Sequence, residues 1–218
     1  MDAKENREQI IRDAKSSLIL DAARKVFAEK GFHETRLDDI AAQAGFSKAA
    51  LYNYYSDKES LFLSLANRDF DHLFDAIKNN LDPQAKFMDN LQRILNTVFT
   101  FFGEHFAFLL ATTNYSQSEN ENNGKIREYH EKLFCQFKKK YSQVFDVFVE
   151  VLKEGKRRGE IKYDLDEKII SQYLVSLLRG IFIEWKAQGR KGESDREIKQ
   201  LISFLGWFES QKLTGASP

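Results

Sequence analysis

Residues 35–58 read TRLDDIAAQAGFSKAALYNYYSDK, and their spacing predicts two short helices joined by a sharp turn, followed by the start of a longer third helix. Thr35 is placed to cap the first helix, offering its hydroxyl to the unpaired amides of the first turn, with Asp38 three residues on completing a box-like pair. Leu37, Ile40, Ala41 and Ala44 then share one apolar face. Gly45 stops this helix, because glycine takes positive φ at little cost and lets the chain turn without unwinding into a loop. Phe46 packs behind the turn. Ser47 caps a second helix, Lys48 to Tyr54, from which Lys48, Ala49, Tyr52 and Asn53 project while Ala50, Leu51 and Tyr54 face inward or sideways. Ser56, with Glu59 three residues later, caps the third helix, and Lys58 in its first turn opposes the helix dipole.

The outward set of the second helix combines a small residue, a cation, a hydroxyl-bearing aromatic and an amide. Those groups suit a helix entering the major groove of DNA. Lys58 calls for a nearby anion, which a DNA phosphate would supply. In order and without gaps, Ala22, Ala23, Phe27, Gly31 and Phe32, then Thr35, Ile40, Ala41, Gly45 and Ser47, then Leu51, Tyr52, Tyr54 and Tyr55 carry a resemblance to the TetR (tetracycline-repressor-like) family of transcriptional regulators. The resemblance spans roughly residues 16–65. It implies phosphate contacts by Thr35, Ser47, Tyr54 and Lys58, and groove or base contacts by Lys48, Ala49 and Tyr52, with Asn53 beside them and Arg36 able to reach either. The alternative for Tyr52, Tyr54 and Tyr55 is that they are core aromatics of a helical bundle.

Upstream, Ile19, Ala22, Ala23, Val26 and Phe27 form one stripe of a supporting helix from Ser17 to Lys30, which Gly31 ends with Phe32 closing over the last turn. Residues 1–15 are charged and poor in apolar side chains, as in a flexible arm or a helical extension. The whole chain balances 33 basic against 33 acidic residues, and residues 1–60 carry 10 against 11. DNA binding must therefore rest on a local patch, with Lys4, Arg7, Arg12 and Lys15 in the arm and Lys48 and Lys58 on the contact surface. A single cysteine, Cys135, cannot close an internal bridge, and no run is apolar enough for a signal or a membrane span; both features suit the cytoplasm.

Downstream, the apolar period runs from Asp57 to Leu81, where Asp82-Pro83 breaks it, and then from Phe87 to Phe102, where Gly103 is expected to kink or end the helix. SQSENENNG, residues 116–124, reads as a polar loop; helices follow over Lys125–Arg158, Glu167–Gln188 and Glu197–Phe208, and TGASP is a disordered tail. No alternating β pattern is present, so the fold class is all-α: a helix-turn-helix module over 16–60, and a ligand-binding and dimerisation bundle over 61–213 joined to it by the helix from Asp57. Sixteen of the 19 phenylalanines follow residue 60. Phe99, Phe102, Phe106, Tyr115, Phe137, Tyr141, Tyr173 and Leu177 are candidates to line a pocket for a small hydrophobic or aromatic effector, the alternative being that they fill the core or the dimer seam.

The last two helices are apolar on more than one face, which requires burial on two sides. Leu174, Leu178, Ile181, Phe182, Trp185, Leu201, Phe204, Leu205 and Phe208 are therefore expected in a four-helix seam with a second copy. An enzyme is not indicated. The four histidines lie on different segments, Asp69 with His72 gives only one Asp-x-x-His step, and no nucleophile elbow, phosphate loop or dinucleotide fingerprint is present. The expectation is a homodimeric regulator, without cofactor, that binds a palindromic double-stranded operator and is released by a small molecule. The competing reading is a helical protein-interaction adaptor that no longer binds DNA.

Overall fold

The computed structural model describes residues 2–115, 124–161, 166–188 and 194–210. All regular structure among them is helical: α1 (Ala3–Glu34), α2 (Leu37–Ala44), α3 (Lys48–Tyr52), α4 (Lys58–Asn80), α5 (Phe87–Tyr115), α6 (Gly124–Arg157), α7 (Glu167–Ala187) and α8 (Ser194–Ser210). The chain forms two compact units, Met1–Phe70 with Phe106–Gln136, and Asp71–His105 with Phe137–Pro218. The boundary expected at residue 60 thus falls inside α4, which gives its first half to one unit and its second half to the other.

In the first unit the buried side chains are Ile19, Ala22, Ala23, Val26 and Phe27 of α1, Ile40 and Ala41 of α2, Leu51 of α3, and Leu61, Phe62 and Leu65 of α4. Burying each large side chain contributes about 1.5–3 kcal/mol relative to exposure. Phe27, Phe32 and Phe62 meet as an aromatic cluster, with ring centroids 5.7, 5.2 and 4.9 Å apart. Gly31 breaks α1 at φ 77°, ψ 168°, a conformation only glycine adopts readily, so Phe32 can fold back over the last turn as the sequence predicts. Residues 3–15 are helical and residues 4–15 are exposed, so the leading arm takes the form of a helical extension. Asp69, buried on α4, is held by Arg24 of α1, and neighbouring Arg68 pairs with Asp21 at 2.8 Å. These two pairs fasten α1 to α4.

In the second unit, Leu73 and Ile77 of α4, Leu91, Ile94, Leu95, Val98 and Phe99 of α5, Phe148 and Leu152 of α6, and Leu174, Leu178, Phe182 and Trp185 of α7 are buried. Gly103 neither ends nor interrupts α5: the helix runs on to Tyr115, because glycine weakens a helix interior by only about 1 kcal/mol and packing overrides that. The α6 helix ends at a turn through Gly159, φ 72°. Of the expected polar loop over 116–124, residues 116–123 lie outside the described residues and Gly124 opens α6; the expected tail over 214–218 also lies outside them.

Candidate nucleic-acid interface

The turn between α2 and α3 forms as its residues dictate. Gly45 adopts the left-handed conformation, φ 73° and ψ 26°; its amide donates to Ala42 O at 3.2 Å and the Phe46 amide donates to Ala41 O at 2.9 Å. Ser47 caps α3, its Oγ accepting from the Ala50 amide at 3.1 Å. Leu51 is fully buried and anchors α3, which leaves Lys48, Ala49 and Tyr52 on its outer side and Asn53 as its exposed C-cap. Tyr52 is 46% exposed, a large fraction for an aromatic. Lys48 is held by Asp38 of α2 at 2.9 Å, and this carboxylate raises the lysine's pKa above its ordinary value.

Two expected helix starts are shifted by one residue. Arg36, not Thr35, is the N-cap of α2, its amide donating to Asp39 Oδ2 at 3.1 Å. Asp39 also pairs with Lys30 at 3.0 Å, which with the Arg36 amide holds its carboxyl below the usual range. At the start of α4 the reciprocal pair is Asp57 with Ser60, not Ser56 with Glu59: Asp57 Oδ1 accepts from the Ser60 amide at 2.6 Å, and the Asp57 amide donates to Ser60 Oγ at 3.4 Å. Partial burial pushes the Asp57 carboxyl up, but the Ser60 amide and the Ser56 and Ser60 hydroxyls outweigh it and leave a net lowering.

Thr35 and Lys58, both expected on phosphates, are turned inward. Thr35 is 2% exposed and donates its hydroxyl to Gly31 O at 2.6 Å. The Lys58 ammonium donates to the carbonyls of Phe32 (2.8 Å), His33 (3.1 Å) and Thr35 (3.0 Å), and lies 4.6 Å from the centre of the Phe32 ring. The anion that its place in a first helical turn calls for is therefore supplied by the partial negative charges at the end of α1. Burial lowers its pKa, against the opposing fields of Glu59 and Glu34. Tyr54 is half-buried between Phe46 (6.4 Å, edge-on) and the Arg12 guanidinium (5.6 Å above the ring), and Arg12 also donates to Asn53 O at 3.5 Å. Arg12 is a residue that sequence reasoning treated only as part of a basic arm. Tyr55 is a core aromatic, its hydroxyl 2.7 Å from Ser16 Oγ, and burial raises its pKa. Of the three tyrosines, Tyr52 alone stands clear of the core.

The second unit redistributes the expected pocket and seam residues. On α7, Leu174, Leu178, Phe182 and Trp185, expected in the dimer seam, are buried within the protomer, and Ile181 is half-buried. Tyr173 and Leu177, expected in the pocket, are 64% and 41% exposed. The helical period groups each set on one face of α7, with Leu174, Leu178, Phe182 and Trp185 turned inward and Tyr173 and Leu177 outward. Phe99 and Phe102 are packed rather than lining an opening: Phe99 lies 5.2 Å from Phe182 and 5.3 Å from Trp185, and Phe102 stacks on Phe182 at 4.1 Å. The Trp185 indole N–H within this cluster is buried and has no acceptor among the described residues. Leu201 of α8 is half-buried and Phe204 is 53% exposed. The side chains of Phe106, Tyr115, Phe137, Tyr141, Leu205 and Phe208 lie outside the described residues. Openings do occur elsewhere in this unit: a cleft of about 520 Å³ at the end of α4, and one of about 440 Å³ lined by His72, Asn80, Thr97 and Phe101. Among the described residues, no helix is long and apolar enough to cross a membrane.

A long supporting helix and two short ones packed on a buried apolar seam, with a glycine turn and one capped helix presenting polar groups outward, define a helix-turn-helix DNA-binding regulator. Residues 19–65 match the model of the bacterial regulatory proteins of the tetR family. That match gives residues 19–65 as a tetR-type DNA-binding domain. The chain is 26% identical over 174 residues to the fatty acid metabolism regulator protein of Bacillus subtilis, covering 79% of this chain and 84% of the relative. Its fold matches the fatty acid degradation regulator FadR of Bacillus halodurans with a TM-score of 0.72 at 22% identity, covering 88% and 94% of the two chains. It also matches FadR of B. subtilis, solved in complex with stearoyl-CoA, with a TM-score of 0.66 at 21% identity, covering 87% and 96%.

Proposed function

We propose that this chain is a ligand-responsive repressor that binds a palindromic operator as a homodimer and is released by a small hydrophobic molecule. The observation that carries the DNA-reading part is the division of α3: Leu51 is fully buried, while Lys48, Ala49, Tyr52 and the capping Asn53 stand exposed side by side. In this reading Lys48, Ala49 and Tyr52 meet base edges, and Ser47, Asn53, Tyr54 and Arg36 position the module on phosphates. Lys48 exchanges Asp38 for DNA on binding. The homodimer rests on the exposed apolar side chains of the last two helices, Tyr173 and Leu177 of α7 and Phe204 of α8, with Leu201 beside them.

The effector would bind in the second unit by parting the packed rings of Phe99, Phe102 and Phe182, which would then supply apolar contact while the Trp185 N–H donates to a ligand carbonyl. A long-chain acyl thioester is the first class to try, because the B. subtilis relative was solved with stearoyl-CoA. Its effect would reach DNA affinity through α4, which belongs to both units, and ligand and operator must then weaken each other's binding equally. The test is selection of duplexes from a random pool by the purified protein, followed by titration of the selected duplex with stearoyl-CoA. Enrichment of a palindrome whose binding the thioester weakens is the expected result. No enrichment by the folded dimer overturns the DNA reading, and a thioester that leaves operator affinity unchanged overturns the effector class.

A further inference from the structure

The 520 Å³ cleft at the end of α4 lies wholly within the second unit, between the α4–α5 turn and the last turns of α6. Its walls are apolar: Phe74, Leu81, Pro83, Phe87, Val147 and Val151. Its charge is one-sided, with the carboxylates of Asp82, Asp146, Glu150, Glu154 and Glu160 against the cations Lys78 and Arg158. Both cations have positions of their own. Arg158 donates to Glu154 Oε1 at 2.6 Å and to the carbonyls of Ala85 (3.1 Å) and Pro83, and Lys78 rests its ammonium 4.3 Å from the centre of the Phe74 ring.

Three of the carboxylates are likewise engaged within the fold: Glu160 accepts from the Phe87 amide, Asp82 from the Gln84 amide at 2.9 Å, and Glu154 from both Arg157 and Arg158. Glu150 holds only an exposed pair with Lys153 at 3.0 Å, which water and salt screen. What remains is Gln143 Oε1, buried and without a donor among the described residues, and the exposed carboxylate of Asp146, which none of the described residues pairs. They sit three residues apart on α6, on the face that also carries Val147 and Val151.

We propose that this cleft binds an amphipathic ammonium, a protonated amine on an apolar body. The head group donates to Gln143 Oε1 and to the Asp146 carboxylate, and the body lies on Val147, Val151, Leu81 and Phe87. The volume suits such a ligand, and an ammonium satisfies at once an orphaned acceptor and an uncompensated charge. The same charge balance turns away anions, so this is a separate site from that of an acyl thioester, whose phosphates would meet the carboxylate rim.

The test uses three probes with one body and different heads, octylamine, 1-octanol and octanoate, titrated calorimetrically into the full chain at neutral pH, with the methyl signals of Val147 and Val151 as the locator. Octylammonium is expected to bind about tenfold tighter than octanol, the worth of one charge-assisted hydrogen bond, and octanoate more weakly than either. Asp146→Lys is expected to remove at least that tenfold, and Gln143→Met a smaller part. Asp146 is exposed, so circular dichroism should be unchanged. Octanoate binding as tightly as octylamine, an Asp146→Lys protein that binds the amine undiminished, or no binding of the amine would each overturn the proposal. None of these measurements involves DNA, so their failure and that of the operator reading are distinct.

Discussion

The α3 helix and the α7 helix carry outward side chains for different reasons, and the difference explains why one was easier to read than the other. On α3, a five-residue helix, only Leu51 reaches the core, and the exposed residues are mostly polar. On α7, apolar residues occupy both faces: Leu174, Leu178, Phe182 and Trp185 are buried, while Tyr173 and Leu177 are exposed. Where a helix has one large aliphatic residue and three outward groups, burial follows from chemistry. Where both faces are apolar, the period groups residues by face but does not say which face the protomer keeps for itself.

The largest effects are expected on the inward side of α7. Phe182→Ala removes a ring packed against Phe99, Phe102 and Trp185, and should cost about 3–5 kcal/mol of stability in denaturant unfolding. Leu177→Asp on the outward side should leave monomer stability within about 0.5 kcal/mol, as for ordinary surface changes, yet shift sedimentation from dimer to monomer. If Phe182→Ala dissociates the protein while Leu177→Asp does not, the assignment of the two faces is reversed.

On α3, Tyr52→Ala and Lys48→Ala should each weaken binding to the selected operator by about 1–3 kcal/mol with the melting temperature unchanged. A loss of stability on removing Tyr52 would make it a core tyrosine like Tyr55. In the second unit, Gly155 closes against Phe87: a Cβ there would stand 2.9 Å from Ile161 Cδ1 and 3.1 Å from Phe87 Cβ. Gly155→Ala should cost about 1–3 kcal/mol by overpacking, seen as a lowered unfolding midpoint.

The smallest effect concerns Glu154, whose carboxyl is lowered to about 2, first by its hydrogen bond with Arg157 and then by that with Arg158. Its folded pKa lies below the ordinary 4.5, so the stability it lends is complete above pH 4.5 and is lost as pH falls toward 2. Glu154→Gln should flatten the acid limb of stability in that window, its small loss of stability being present at neutral pH and vanishing as pH falls toward 2.

The helix-turn-helix was legible because its signals are local. Gly45 and Ser47 act within four residues of themselves, and both behave as their chemistry requires. The helices of the second unit were legible as helices for the same reason. The cap of α2 lies one residue on because the Thr35 hydroxyl, expected to accept from first-turn amides, is buried and donates instead to Gly31 O of α1. Lys58 was misread for a related reason: the carbonyls it binds lie 23 to 26 residues upstream and come together only when Gly31 folds Phe32 back. The stacking of Arg12 on Tyr54 and the bond of Arg24 to Asp69 are likewise long-range pairings of residues that carry no local signature.

The contrast between Lys48, exposed on α3, and Lys58, bound to carbonyls, is tested most directly by the salt dependence of operator affinity in wild type, Lys48→Ala and Lys58→Met. The plot of log affinity against log salt should flatten by about one for Lys48→Ala. It should keep the wild-type slope for Lys58→Met, whose loss of about 1–3 kcal/mol appears instead in unfolding. A slope that falls with Lys58→Met and stays with Lys48→Ala would contradict the reading of α3 as the charged contact helix and return Lys58 to the phosphate backbone.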